Sequence, residues 1–128
     1  MKVHHIGYLV EDINAAVEKF ISLGYKVISE EVYDVSRGGG ILFLQNGETV
    51  IELIAPRKGE WKFKDLSKRI GVGPYHLCYI AENFDSDIEK LQAEGWTMVT
   101  QAEPAVAIEN RRVQFFYNLD AGLIEILE

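Results

Sequence analysis

The sequence has little cysteine and no long apolar run, and each shortage excludes a class of protein. With one cysteine, Cys78, in 128 residues, the chain cannot form an internal disulfide, which favours a reducing compartment such as the cytoplasm. The longest apolar stretches, such as residues 41–44, have about four residues, whereas a membrane-spanning helix needs about 20. Residues 1–5 contain no apolar segment of a secretory signal. We therefore expect a small cytoplasmic domain without a membrane span.

Basic residues are also scarce. Thirteen Lys and Arg against twenty Asp and Glu give a net charge of −7, which argues against nucleic acid or an anionic membrane as the main partner. Residues 57–69 are the exception, since they hold six basic and two acidic residues. Two interpretations of this segment stay open: a solvated connector, or a basic rim over a concave face that attracts an anionic substrate.

The chain repeats itself at an interval of 71 residues. Without a gap, residues 5–28 align with residues 76–99, and a slightly longer shift aligns residues 50–54 with residues 123–127. An ordered set of matches indicates two copies of one module. The predicted organisation has three parts: a first module at 1–56, a basic linker at 57–73 and a second module at 74–128.

Each copy is predicted to fold as a strand, a helix and three further strands. In the first copy Asp12 can cap the helix, Ile13, Val17 and Phe20 have helical spacing, and Gly24 ends the helix. The two copies together give eight strands and two long helices. The predicted fold class is α+β: two tandem βαβββ modules that form a cupped mixed sheet with the helices outside.

Two finer predictions concern the linker and the second strands. The linker is predicted to contain a short helix through Trp61, Leu66 and Ile70. The second strand of each copy is predicted as one continuous element, at residues 25–34 and 96–103.

Four polar residues interrupt the apolar pattern at equivalent strand positions. Glu52 and Glu125 each lie between apolar neighbours, and His5 and His76 occupy matching places in the first strand of each copy. Because neighbouring residues of a strand point to opposite faces, we expect all four on the inner face of the sheet. A buried carboxylate there needs a partner. His4 alternates to the other face and is not expected to join them.

Two imidazoles and two carboxylates would neutralise one divalent cation. A set of two nitrogens and two oxygens suits Ni²⁺, Co²⁺, Zn²⁺ or Fe²⁺. The alternative for each residue alone is structural: a hydrogen-bonded core histidine or a solvent-facing glutamate. Repetition of the pair in both copies favours the metal. Cys78 is expected to be a small packed side chain, and Arg111 and Arg112 are expected to be a solvated pair.

The four segments that carry these residues resemble the vicinal oxygen chelate superfamily, and in particular small bacterial glyoxalase I and methylmalonyl-CoA epimerase proteins. They read His5-Ile6-Gly7, Val50-Ile51-Glu52-Leu53, His76-Leu77 and Gly122-Leu123-Ile124-Glu125. The resemblance implies a homodimer and one divalent ion, with Ni²⁺ or Co²⁺ favoured and Zn²⁺ possible. It also implies the metal ligands His5, Glu52, His76 and Glu125. Glu125 is the first candidate for the catalytic base and Glu52 the second.

Three functions are compatible with this resemblance. Methylmalonyl-CoA epimerases are thought to use a further carboxylate on the third strand of the first module, and residues 37–41 contain no acid. The main expectation is therefore a glyoxalase I type lyase, which isomerises a thiol hemithioacetal of methylglyoxal through an enediolate. The alternatives are an acyl-CoA epimerase, whose CoA phosphates the basic linker could meet, and a non-catalytic drug- or metabolite-binding protein.

Overall fold

The computed structural model describes all 128 residues and contains ten strands and three α-helices. In chain order the elements are β1 (Lys2–Leu9), α1 (Ile13–Ser22), β2 (Lys26–Val27), β3 (Val32–Asp34), β4 (Gly39–Asn46), β5 (Thr49–Pro56), α2 (Lys64–Ile70), β6 (Gly73–Ile80), α3 (Phe84–Ala93), β7 (Thr97–Met98), β8 (Glu103–Ala105), β9 (Arg111–Asn118) and β10 (Gly122–Leu127). The sheet is mixed and the fold class is α+β, as predicted. None of the helices is long and apolar enough to cross a membrane.

The chain divides into two compact units, and the larger consists of residues 6–75. Its strands follow the order β2, β4, β5, β1, and β3 also pairs with β4. The β4–β5 pair is antiparallel, whereas β1 and β5 run parallel with Ile6 opposite Ile51 and Gly7 opposite Glu52. This register directs Ile51 and Leu53 to one face and Glu52 to the other.

Helix α1 covers the apolar face of this unit. Asp12 caps it, since its Oδ1 accepts a hydrogen bond from the backbone N–H of Ala15 at 2.7 Å. The helix packs its apolar stripe on Leu44, Ile51 and Leu53, all nearly inaccessible to solvent. Gly24, at a φ of +99°, follows the helix in a conformation that favours glycine.

The second unit consists of residues 1–5 and 76–128. Its strands β6, β10, β9 and β7 are neighbours in that order, and β8 also pairs with β9. Strands β6 and β10 run parallel, with Leu77 opposite Ile124 and Cys78 opposite Glu125. The repeat aligns these pairs with the β1–β5 pairs of the first unit, so both units use one register. Helix α3, capped by Asn83, covers the apolar face here.

The predicted continuous strands at 25–34 and 96–103 are each interrupted, so the prediction of eight strands is wrong. In the first unit the backbone N–H of Phe43 donates to Ser29 Oγ at 2.9 Å. In the second unit the N–H of Phe115 donates to Thr100 Oγ1 at 3.0 Å. At both places a side-chain hydroxyl accepts the bond that a strand carbonyl would accept, and the ladder breaks there.

The segment between β5 and β6 is fixed to the turn at Arg37 and Gly38. Arg57 N–H donates to Gly38 O and Lys62 N–H donates to Arg37 O, both at 2.9 Å. A Cβ on Gly38 would lie 2.0 Å from the carbonyl oxygen of Glu60, so only glycine lets the two backbones approach. The predicted short helix exists as α2 but starts at Lys64, and Trp61 precedes it as a buried anchor.

Candidate functional site

Three of the four predicted site residues meet in the unit formed by residues 1–5 and 76–128. His5 Nε2 lies 3.3 Å from His76 Nε2. Glu125 Oε2 lies 3.3 Å from His5 Nε2 and 3.2 Å from His76 Nε2. The three atoms form a nearly equilateral triangle, which we call the His–His–Glu triangle.

Strands β1, β6 and β10 position the triangle in an apolar setting. His5, His76 and Glu125 are 1%, 3% and 0% exposed. Beside Glu125 on the neighbouring strands lie Cys78 and Phe115, and the Phe115 ring meets the His76 ring edge to face at 5.2 Å. Such a setting strengthens electrostatic interactions between the polar atoms it encloses.

Cys78 is fully buried. Burial raises the pKa of its thiol to about 12, although a hydrogen bond with His5 lowers that pKa in part. Cys78 is therefore a protonated, packed side chain at neutral pH, in line with its prediction as a small hydrophobe.

The triangle fits a divalent metal ion. Two ligand atoms about 2.0–2.1 Å from a tetrahedral ion lie about 3.3 Å from each other, and the three measured separations are 3.2–3.3 Å. Hydrogen bonds cannot account for all three edges of the triangle. Each neutral imidazole carries at most one proton on Nε2 and the carboxylate oxygen carries none, so at most two protons are available for three edges. Two imidazole nitrogens and a carboxylate oxygen are donors that Zn²⁺, Ni²⁺, Co²⁺ and Fe²⁺ accept.

His4, which is not expected to join the four predicted residues, lies beside the triangle. Its Nδ1 lies 2.8 Å from Nδ1 of His5, and the two rings meet edge to face at 5.1 Å. Strand alternation predicts His4 on the opposite face, yet its Nδ1 lies within hydrogen-bond distance of that of its neighbour. Two consecutive histidines were the only signal in the sequence.

Glu52, the fourth predicted residue, belongs to the unit of residues 6–75 and is fully buried there. The Arg37 guanidinium lies against it, with Nη1 3.3 Å from Oε1 and Nη2 3.5 Å from Oε2. Arg37 Nε also donates to Asp34 Oδ2 at 2.8 Å. Arg37 is 2% exposed, so a buried cation lies between two carboxylates. The strand pattern of the sequence does not predict this arrangement.

The basic segment, residues 57–69, is exposed apart from the buried Trp61 and Phe63 and the half-buried Leu66 and Ser67. Arg57 pairs with Glu60 at 3.9 Å and lies over the Tyr33 ring. The hydrogen bond from the Tyr33 hydroxyl to Glu60 raises the pKa of that phenol. Four basic side chains of the segment form no ion pair: Lys58, Lys64, Lys68 and Arg69.

Arg111 and Arg112 form local contacts rather than a solvated pair. Arg112 Nη2 lies 2.8 Å from Glu128 Oε1, and its Nη1 lies 3.0 Å from Asp85 Oδ1. Its guanidinium also covers the Phe84 ring at 4.5 Å. Arg111 Nε donates to the Glu128 carbonyl at 2.7 Å. Both arginines therefore connect β9 to Glu128, which follows β10.

A family model described as the glyoxalase/bleomycin resistance protein/dioxygenase superfamily matches residues 4–115. The chain belongs to this superfamily. The match spans most of both units and agrees with the resemblance inferred from the sequence.

The chain is also similar to individual proteins of known sequence or structure. An ethylmalonyl-CoA/methylmalonyl-CoA epimerase of Cereibacter sphaeroides is 22% identical over 120 residues, which cover 93% of this chain and 90% of that protein. A hypothetical protein of Bacillus halodurans C-125 is 26% identical with a TM-score of 0.85, over 99% of this chain and 93% of that one. Methylmalonyl-CoA epimerase from Mycobacterium tuberculosis is 24% identical with a TM-score of 0.83, over 98% of this chain and 86% of that one.

These comparisons overturn the expectation of a glyoxalase I type lyase. The named relatives with an activity are acyl-CoA epimerases, which was the alternative. The error has a chemical reason. In both reactions one Lewis-acidic ion stabilises the anion, an enediolate or an enolate, and a carboxylate moves the proton. The ligand set therefore cannot separate the two reactions, and the missing acid at residues 37–41 was given too much weight.

Proposed function

We propose that the protein is a metal-dependent acyl-CoA epimerase that inverts the α-carbon of a methylmalonyl-CoA or ethylmalonyl-CoA type thioester. The observation that carries the proposal is the buried His–His–Glu triangle, with three donor atoms converging on one point. The epimerase relatives support the choice of reaction. In this proposal His5, His76 and Glu125 hold the ion, and Glu52 remains a predicted fourth ligand.

The ion would act as a Lewis acid toward the thioester carbonyl. The chain's own contribution is to hold the donor atoms in place in a buried setting. His5 and His76 are neutral donors, so Glu125 supplies the negative charge that a divalent cation needs in a buried place. The Phe115 ring packs edge to face against the His76 imidazole and helps to hold it in place.

Epimerisation requires the α-proton to leave and a proton to return on the opposite face. We propose Glu125 as the first candidate for the carboxylate that takes the proton, with Glu52 as the second, since a weakly held ligand can leave the ion and act as a base. As the C–H bond breaks, its electron pair moves onto the thioester as an enolate. Return of a proton to carbon restores the thioester with either configuration, so no oxidant or further reactant is needed.

The basic segment supports a CoA thioester as the substrate class. CoA carries a diphosphate and a 3′-phosphate, whereas the chain outside residues 57–69 is strongly acidic. Lys58, Lys64 and Lys68 form no ion pair within the protein. We propose that this segment attracts the phosphate end of the substrate.

Deuterium incorporation tests the reaction. Metal-loaded protein in D₂O is expected to introduce deuterium at the α-carbon of methylmalonyl-CoA or ethylmalonyl-CoA well above an enzyme-free blank. Glu125→Gln should lose this activity by at least a hundredfold, because general base catalysis contributes about 10²–10⁴-fold. Mass spectrometry of the recovered thioester gives the readout.

Glu128→Gln is the matched control, since Glu128 is an exposed carboxylate just after the same strand. It should retain the exchange rate. Metal-loaded protein that exchanges neither thioester above the blank would overturn the proposed function.

A further inference from the structure

We propose that His4 is a positioning residue that fixes the proton of His5 on Nδ1 and so leaves the Nε2 lone pair directed into the triangle. The inference rests on the proposed metal centre, and it assigns a role to a side chain outside that centre. The observation is the 2.8 Å separation between Nδ1 of His4 and Nδ1 of His5.

One hydrogen atom joins these two nitrogens, and its position decides what His5 can do. If His4 donates, a neutral His5 carries its proton on Nε2 and cannot bind a metal there. If His5 donates, its Nδ1 carries the proton and its Nε2 has a lone pair. His5 Nε2 faces both His76 Nε2 and Glu125 Oε2, so only the second arrangement presents three lone pairs to one point.

The distance between His4 and His5 favours a hydrogen-bonding role for His4 over that of a metal ligand. The Nδ1–Nδ1 separation of 2.8 Å is a hydrogen-bond distance, whereas the three edges of the triangle measure 3.2–3.3 Å. Although His4, His5 and Cys78 are close enough to be considered a ligand group, the 2.8 Å between the two Nδ1 atoms is shorter than the about 3.3 Å that separates two nitrogen ligands of one tetrahedral ion. Partners of this kind raise the basicity of a ligating imidazole and fix its orientation.

Substitution of His4 should weaken metal binding without removing a ligand. For His4→Leu we expect a 10–100-fold rise in the Zn²⁺ dissociation constant. For His4→Asn we expect a change below about threefold, because the amide oxygen can accept the same hydrogen bond. Chelator competition with Zn²⁺ gives the constants. Val3→Ala, next to His4 on β1 and 47% exposed, is the control and should bind Zn²⁺ like the wild type.

Nitrogen-15 NMR of the zinc-loaded wild type tests the proposal without any variant. The proton between the rings should be assigned to His5 Nδ1, with Nε2 shifted by zinc. Three results would overturn the proposal: a proton on His4 Nδ1, equal Zn²⁺ affinity in His4→Leu and wild type, or a second Zn²⁺ lost with His4. Failure to bind Zn²⁺ at all would overturn it too. Neither readout uses the epimerase reaction, so a zinc-binding protein without exchange activity would refute the proposed function alone.

Discussion

At the scale of single residues, the buried Arg37 lies between Asp34 and Glu52 and supplies the charge that both carboxylates face. Removing one member of a buried ion pair costs about 3–5 kcal/mol, because a charge is left in an apolar place. We therefore expect Arg37→Met to lower the free energy of unfolding by several kcal/mol. Urea denaturation followed by circular dichroism measures the loss.

Arg57 provides the matched comparison, because it pairs with Glu60 at the surface and is 65% exposed as a side chain. Arg57→Met should cost about 0–1 kcal/mol. Adding Glu52→Gln to Arg37→Met should recover part of the loss. A cost for Arg37→Met as small as that for Arg57→Met would contradict the stabilising role of the buried pair.

The repeat predicted the residues of the His–His–Glu triangle because strand alternation and duplication fix which face a residue occupies. It could not predict Arg37, whose side chain reaches Glu52 from a turn. Nor could it predict the contact between His4 and His5, since strand alternation directs neighbouring side chains to opposite faces. Contacts made through long or rotating side chains depend on tertiary packing, and one sequence does not record them.

At the scale of elements, Ser29 and Thr100 interrupt equivalent strands by accepting hydrogen bonds from Phe43 and Phe115. Thr100→Val keeps the shape but leaves the buried N–H of Phe115 without that acceptor. An unsatisfied buried donor costs about 1–3 kcal/mol. Ser29→Ala should cost less, because Ser29 is only half-buried.

Paired chemical denaturation curves test this ranking, and hydrogen exchange of the two Phe amides localises the effect. Exchange at Phe115 should accelerate in Thr100→Val and that at Phe43 should not. Unchanged protection at Phe115 would show that another group satisfies its N–H.

The Arg112–Glu128 contact makes a pH-dependent contribution. Hydrogen bonds from Arg112 hold the pKa of Glu128 below its ordinary value of 4.5. Because the folded state lowers this pKa, the contribution is complete above the ordinary value and is lost as the pH falls through the folded-state value. The difference in melting temperature between wild type and Glu128→Gln should be present at pH 7 and vanish in strong acid. A difference that grows on acidification would contradict the sign.

Helices and long strands were predictable because their periodicity, caps and glycines are local. Asp12 and Gly24 bound α1 as predicted. The interruptions at Ser29 and Thr100 were missed, since a hydroxyl acceptor competes with a strand carbonyl only after another strand is in place. The predicted position of Trp61 in the linker helix is also wrong. Its apolar spacing from Leu66 resembles that of a helix, but its indole packs on Phe63 and Tyr75 before α2 begins.

At the scale of the whole molecule, the charge is unevenly divided between the basic segment and the rest of the chain. If the segment attracts the CoA phosphates, the KM for methylmalonyl-CoA should rise with ionic strength. Substituting Lys58, Lys64 and Lys68 together by Gln should raise KM about three- to tenfold at low salt, as three exposed charge pairs of 0.2–1 kcal/mol allow. It should also flatten the salt dependence.

Lys19 and Lys26 are exposed lysines outside the segment and supply the control as a double Gln variant. That variant should keep the KM and salt response of the wild type. A pantetheine thioester, which lacks the nucleotide phosphates, should show no salt response with either protein. Equal salt responses for both thioesters would refute the role of the segment.

The homodimer stays a prediction, which light scattering on the purified protein can test.

One unit combines residues 1–5 with residues 76–128, and this has a consequence for the time course of biosynthesis. His5 leaves the ribosome 120 residues before Glu125, which at about 5–20 residues per second is a delay of roughly 6–24 s. Throughout that interval a nascent chain holds His5 without the β10 carboxylate beside it. Loading of the proposed metal ion would therefore follow synthesis of nearly the whole chain, and a ribosome stalled before residue 125 would carry a polypeptide unable to complete the triangle.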